Sequence, residues 1–477
     1  MINTHYKEIK VFSWCVLNMG ILLFSAVRQA DCLIILLALV FANSVLFSLY
    51  SLQKRIVLFS FLCTFFVFLA GRQFLEDFGI YNKEITYGPE YEIHAKVCMI
   101  ISLVALNVSY YYMERYGTSN IDWHRSEVKL NGSIMDLQNA SRALFYLTYI
   151  FMLVSVAGDV LYVQENGYLA FYTDNYQSLV PYPVQKIGDI CPTFFFVFLA
   201  TYPEKRKCTV PMLLYSLYAL LTLFTGSRYK FVASLFIIVI YMFLRNRIRP
   251  GKKKWIGKKE IGLIIIALPI FMSFLYAYQY TRYGRDVVEN GNALFSFIYQ
   301  QGVNANNIKR ELYFENQLPE GRIYSFGQVI GFLKSNPIAS LFGVHYYRGN
   351  TVEHALYGNS LGHAISYLAM SKAAYLLGNG MGSCYIAELY HDFGFLGMLF
   401  GNVFYGWAIF RMVNQKRYNW IVQTITLSSL YALLLAPRGS FDGIIDAFLD
   451  LSTWAAIIMA YLAALMLRQW QGKNKNV

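Results

Sequence analysis

Apolar residues run through this chain in long blocks, not in the alternating or one-sided patterns of a soluble fold. A helix needs about 20 mostly apolar residues to cross a bilayer core. Twelve stretches approach that standard: 10–27, 31–51, 56–76, 94–113, 142–163, 186–201, 209–225, 228–244, 260–280, 384–410, 419–436 and 444–467. The stretch 186–201 is short and holds Asp189 and Pro192, so it is the weakest of them. In each stretch the apolar residues surround the helix, as lipid contact requires. Soluble strands rarely run this long. The pattern predicts an all-α polytopic membrane protein with about 12 transmembrane helices. Connections are short with one exception, 281–383, which divides the chain into helices 1–9 (1–280), a large loop, and helices 10–12 (384–477). Loops of that length are usually functional or separately folded. Its own periodicity predicts helices over 293–311 and 325–342, the second broken by Pro337.

Composition agrees. Charged residues make up 14% of the chain and apolar ones 56%, against about 25% charged in ordinary globular proteins. That excludes a large soluble fold and disorder alike. The net charge of +13 would suit a nucleic-acid partner until it is placed on the topology. With the N-terminus inside and loops alternating, 25 of the 41 basic residues fall on the cytoplasmic side. Lys and Arg favour that side. The run RNRIRPGKKKWIGKK at 245–259 is the strongest anchor, and an even span count puts the C-terminus inside too. Inside segments then carry +18 and the remainder −5. The excess is an orientation signal, and no nucleic-acid partner is implied. The first span lacks a small-residue cleavage site and reads as a retained anchor. Seven cysteines at irregular spacing imply no disulfide framework and no metal site.

Several residues are candidates for chemistry. In LTLFTGSRYKF, 221–231, Ser227 suits a helix N-cap. Arg228 and Lys230 then sit in the first turn, where helices favour anions. A bound anion would explain them; snorkelling to the outer interface is the other reading. Gly378, Gly380 and Gly382 form a glycine-rich turn with no preceding strand, so a nucleotide-binding loop is not indicated. Glu388, His391 and Asp392 follow at helical spacing. Ionisable groups in a membrane helix point to function by default, although an interfacial polar cluster would show the same spacing. Arg72, Arg282, Arg285 and Arg438 close spans on the outer side and could grip phosphate oxygens. Helix C-termini also favour cations for structural reasons. The Tyr- and Asn-rich segment 164–185 suits either sugar rings or an aromatic belt. Four of the seven histidines, His345, His354, His363 and His391, lie in or just past the large loop. No internal repeat is visible, which disfavours a two-fold transporter. No DxD, HExxH, CxxC or Walker motif occurs, so neither a metal nor another cofactor is expected.

The segment GNGMGSCYIAELYHDFGFLGMLFGNVFYG, 378–406, resembles the C-terminal signature of Wzy-type O-antigen polysaccharide polymerases, notably in its AELY-x-DFG run. TGSRYKF at 225–231, ISYL at 365–368 and PRGSF at 437–441 are similar to further landmarks of that family, in the same order. Cys384 stands where the family often has Ser, and His391 where an aromatic is common. The resemblance implies a GT-C-like membrane glycosyltransferase of the bacterial inner membrane, facing the periplasm. Its substrates would be undecaprenyl-diphosphate-linked oligosaccharides, as donor and acceptor, and a chain-length regulator would be a possible partner. On that reading Arg228, Lys230, Arg282 and Arg438 hold diphosphates, with Arg72 and Arg285 as secondary candidates. Glu388 or His363 deprotonates the acceptor hydroxyl, with His391 as a further candidate, and Tyr172, Tyr176 and Tyr182 line the glycan path. An O-antigen ligase acting on lipid A core, or a lipid-linked oligosaccharide flippase, are the competing readings.

Overall fold

The computed structural model describes residues 2–85, 87–117, 132–173, 176–248, 254–282, 292–335, 341, 345–415 and 418–474. Every described regular element is helical. The long helices are α1 (Ile2–Val27), α2 (Cys32–Leu49), α3 (Leu52–Asp77), α4 (Pro89–Tyr116), α5 (Gly132–Asn166), α6 (Tyr182–Ala200), α7 (Lys205–Phe224), α8 (Arg228–Ile248) and α9 (Lys258–Arg282). Five short ones follow: α10 (Ala293–Gln301), α11 (Ala305–Tyr313), α12 (Gly327–Ser335), α13 (Val352–Tyr357) and α14 (Leu361–Ala369). The chain ends with α15 (Lys372–Leu376), α16 (Tyr385–Val413), α17 (Trp420–Leu435) and α18 (Leu451–Asn474).

All twelve anticipated stretches hold helices, the last of them broken at Asp450 so that its long helix starts at Leu451, and eleven helices are long and apolar enough to cross a membrane. The exception is α6, the stretch that Asp189 and Pro192 made weakest. Its remedy is packing rather than lipid: Cys191, Phe194, Phe195, Val197, Phe198, Leu199 and Ala200 are all fully buried. Helix association inside a bilayer depends on such close packing, because lipid tails are as apolar as the core. The protein is thus a multi-pass membrane protein with the C-terminal half of α6 in its interior.

The two ends of the bundle differ. One end holds a basic cluster that includes Arg55, Arg245 and Arg247. There Arg245 donates to the carbonyls of Tyr202 and Pro203, and Arg247 to Asn414 Oδ1 at 2.6 Å. Arg55 pairs with Glu114. The other end carries the long connections, including the segment after α9. The anticipated helix 293–311 forms as α10 and α11, with a 3₁₀ turn at Gly302–Asn304 between them. The anticipated helix 325–342 is described only as α12; Pro337 lies outside the described residues. Three further helices, α13 to α15, form in the same large segment beyond the two that its periodicity predicts.

A chain of alternating charges ties this end together. Lys96 pairs with Asp31 and, at 2.9 Å, with Asp77. Lys83 reaches Asp77 and Glu92, each at 3.4 Å. Lys309 of α11 bonds Glu92 at 2.9 Å and lies 4.0 Å from Glu76. Arg72 closes the chain on Glu76 and Glu84. Such networks of buried charge persist only where each member is paired. This one pins α11 against α3 and α4, and α11 in turn positions the site.

Candidate active site

Glu388 sits in the first turn of α16, only 2% exposed. A carboxylate there is favoured by the helix N-terminus. Ser383 Oγ donates to its Oε1 at 2.6 Å, and the Phe441 N–H donates to its Oε2 at 2.8 Å. Ser383 is held by the glycine turn that precedes it. Gly378 and Gly382 take φ values of +93° and +73°, which side chains disfavour. A Cβ on Gly378 would collide with the Leu169 carbonyl. The Met381 N–H donates to Ser366 Oγ at 2.8 Å, and Asn307 of α11 donates to the Met381 carbonyl at 3.0 Å.

The AELY-x-DFG run has a structural logic of its own. Gly394 has φ +61° and kinks α16. Asp392, two residues earlier, accepts from the Tyr324 and Ser325 N–H groups at 3.0 and 2.7 Å. Asp442 accepts from the Gln328 and Val329 N–H groups at 2.7 and 3.0 Å, capping α12. Burial pushes the Asp442 carboxyl up to about 6, against the pull of those two N–H groups. Two acids near Glu388 thus anchor α12 over it.

Beneath α12 lies a cavity of about 230 Å³, walled by Glu388, Ser440, Lys334, His345, His354 and His363 among others. His354 and His363 stack at 3.8 Å between ring centres. His354 Nδ1 donates to the Gly349 carbonyl, and His363 Nδ1 lies 2.9 Å from Tyr375 Oη. Burial, aided by His354, pushes His363 down to about 3, so it is neutral at ordinary pH. Lys334 donates to Asn359 Oδ1 at 3.0 Å. Arg322 is close enough to depress Lys334 further after burial has done so.

His391 stands outside this cavity. Its Nδ1 is 3.2 Å from Glu311 Oε1, and its ring packs on Tyr324. Arg438 lies on the far side of the Phe441 turn. It donates to Gln301 Oε1 at 3.2 Å and stacks over Phe68 and Tyr229. Tyr172 is drawn to the same corner through Ser227 and Tyr168. Arg228 is turned toward the Leu275 carbonyl at 3.0 Å. Lys230 lies near Asp159, which also accepts from Tyr176 Oη at 3.0 Å. Arg72 is 2% exposed and committed to Glu76, Glu84 and Tyr299. Tyr182 is exposed, with Lys186 over its ring. The Arg282 side chain and all of Arg285 lie outside the described residues.

The structure therefore brings Glu388 and His363 to one cavity and sets Arg438 beside the turn that holds Glu388. It keeps Arg72, Arg228 and His391 on protein partners. Sequence reasoning missed Lys334, Arg322, Ser383 and Asp442. Only Ser383 was signalled, by the glycine turn it follows; the other three have no local pattern. Among the described residues, no group of three or more His, Cys, Asp or Glu is placed to hold a metal ion.

No curated protein and no solved structure matches the chain. Four segments far apart in sequence, 225–231, 365–368, 378–406 and 437–441, nevertheless meet around Glu388 and Arg438. A family model spanning residues 9–469 covers them all, and the chain belongs to the family it describes, O-antigen polysaccharide polymerase Wzy.

Proposed function

We propose that this protein polymerises undecaprenyl-diphosphate-linked oligosaccharide repeats on the periplasmic face of the bacterial inner membrane, without a metal. The charge asymmetry supports the orientation, since it puts the basic end in the cytoplasm and Glu388 outside. The family supports lipid-linked repeat units as substrates. One observation carries the chemistry: a buried carboxylate, fixed by Ser383 and Phe441, opens on a cavity that also holds Lys334.

In the reaction the bond from the donor's anomeric carbon to its diphosphate oxygen breaks. A bond forms from that carbon to an acceptor sugar hydroxyl. Glu388 takes the hydroxyl proton, and the electron pair leaves with the lipid diphosphate. His363 is the weaker candidate base, because a histidine held near 3 has little affinity for a proton. Arg438 faces the charge gathering on the leaving diphosphate, with Lys334 and Arg322 as further cations. Arg228 and Lys230 are secondary on this reading, and Arg72 is structural. From the segment 281–383, between 1–280 and 384–477, the described helices α12, α13 and α14 supply walls of the site. A chain-length regulator would act on the product from outside this chemistry.

Purified protein in lipid nanodiscs, given lipid-linked repeats, is expected to yield a ladder of chain lengths. A chelator should leave the rate unchanged; strong inhibition would overturn the metal-free mechanism. Transfer of glycan to lipid A core, with no ladder, would reassign the protein as a ligase. Arg438→Ala is expected to slow the ladder by ~10², the usual cost of losing one stabilising donor at a reacting oxyanion. Arg438→Lys should recover part of the rate, since it keeps the charge but loses the stacking on Tyr229. A full rate in Arg438→Ala would remove Arg438 from the site.

A further inference from the structure

A second cleft, of about 450 Å³, lies on the other side of α12. It runs between α6, α17 and the start of α18 and shares Gln328, Gly331 and Tyr346 with the Glu388 cavity. The two spaces are adjoining chambers, and they differ in charge. The Glu388 cavity sets Lys334 against its one carboxylate and adds three histidines, of which His363 is neutral. The second cleft has Asp446 and Asp450 and no Lys or Arg in its lining.

Its walls hold hydroxyls without partners. Thr193 of α6 and Ser429 of α17 are 7% and 4% exposed, yet neither side chain makes a hydrogen bond among the described residues. Ser428 Oγ is fully buried and likewise unpartnered. Most serines and threonines elsewhere in the described helices bond a carbonyl one turn back, as Ser44 and Thr148 do. The Thr193 and Ser429 hydroxyls are not fully sealed as Ser428 Oγ is, so they reach the cleft, and polar groups left unpaired at such low exposure are uncommon and call for a ligand or water. Hydroxyls, a carboxylate and the ring of Tyr346 around one opening match the donors, acceptors and flat faces of a sugar. The volume falls in the usual range for small-molecule sites, roughly 300–1,000 Å³.

We infer that this cleft holds an oligosaccharide segment of the lipid-linked substrate that bears neither phosphate nor carboxylate, while the diphosphate stays toward Lys334 and Arg438. This rests on the polymerase reading for the identity of the substrate. It moves the glycan path away from Tyr172, Tyr176 and Tyr182. It also explains why the two chambers meet at Gln328: a lipid-linked sugar has its anion at one end and its neutral rings at the other. Asp446 would repel the wrong end, which fixes the direction in which the substrate lies.

The test uses the full chain in nanodiscs and, as probe, the cell's own repeat oligosaccharide freed from its lipid by mild acid. Saturation-transfer NMR should detect binding to the wild type. Thr193→Val with Ser429→Ala, nearly isosteric changes, should weaken that binding about tenfold, as expected for two lost hydrogen bonds. The same pair should raise KM for lipid-linked repeats by a similar factor and leave kcat in place. Inorganic diphosphate should not displace the oligosaccharide. Unchanged affinity in the double variant, displacement by diphosphate, or no binding to the wild type would each overturn the inference. If the wild type binds the oligosaccharide but builds no ladder, the polymerase reading fails and the cleft stands.

Discussion

Glu388→Gln is expected to slow polymerisation ~10²–10⁴-fold, the usual worth of a positioned general base. KM for lipid-linked repeats should change little. The substitution is chosen because it removes the proton acceptor and almost nothing else. The new amide oxygen can still accept from the Phe441 N–H, and the amide nitrogen can donate to Ser383 Oγ, which now holds the carboxylate at 2.6 Å. The turn at 437–441 and the glycine loop should therefore keep their places, and thermal stability should stay near that of the wild type. A stable variant with a full rate would show that Glu388 is a structural anchor for Phe441. A variant that loses both rate and stability would leave catalysis unproved, so Ser383→Ala serves as the control. It keeps the carboxylate but removes one constraint, and should cost far less than Glu388→Gln. Separate measurement of kcat and KM distinguishes a lost base from a lost binding contact.

The fold was largely legible because membrane helices announce themselves by length and apolarity. Even α6 was found, and the feature that weakened it, Asp189 with Pro192, marks a helix whose inner half is packed by protein. The large segment after α9 was only half legible. Helix α11 showed an amphipathic pattern, but α13, α14 and α15 have 6, 9 and 5 residues, too few for periodicity to register. Within the site, Glu388 stood out because ionisable groups such as Glu388, His391 and Asp392 in an apolar run are costly. The cations did not sort themselves in the same way. Arg72, Arg228 and Arg438 all sit at helix ends, and nothing local says which one is paired. Arg72 is neutralised by Glu76 one turn later, a partner the sequence displays, and by Glu84, with a hydrogen bond to Tyr299, neither of which it displays. Lys334 is one lysine in a loop helix, and its nearness to Glu388 exists only once Asp442 caps α12 and Asp392 holds the turn before it.

Lys309→Met is expected to destabilise the protein by about 3–5 kcal/mol, the usual cost of stripping one partner from a buried ion pair. Lys309 is 1% exposed. Burial holds its pKa below the usual lysine value, and Glu92 and Glu76 oppose that shift. Without it, Glu92 keeps Lys83, at 3.4 Å and partly exposed, and a hydrogen bond from Gln73, and Glu76 keeps Arg72 as its cation among the described residues. Lys83→Ala should cost far less, about 0–1 kcal/mol, because water screens a partly exposed pair. Adding Glu92→Gln to Lys309→Met should restore part of the loss, since it removes the charge left stranded. Denaturant titration in detergent, followed by tryptophan fluorescence, would measure all three. The effect should also reach the active site, because α11 carries Asn307, whose side chain holds the Met381 carbonyl of the glycine turn. A loosened α11 frees that turn, and with it Ser383 and the carboxylate it fixes. Lys309→Met should therefore lower the polymerisation rate at temperatures where the protein is still folded, although Lys309 is not among the residues lining the cavity. A variant as stable as the wild type would mean that the charge chain contributes nothing to holding α11 in place.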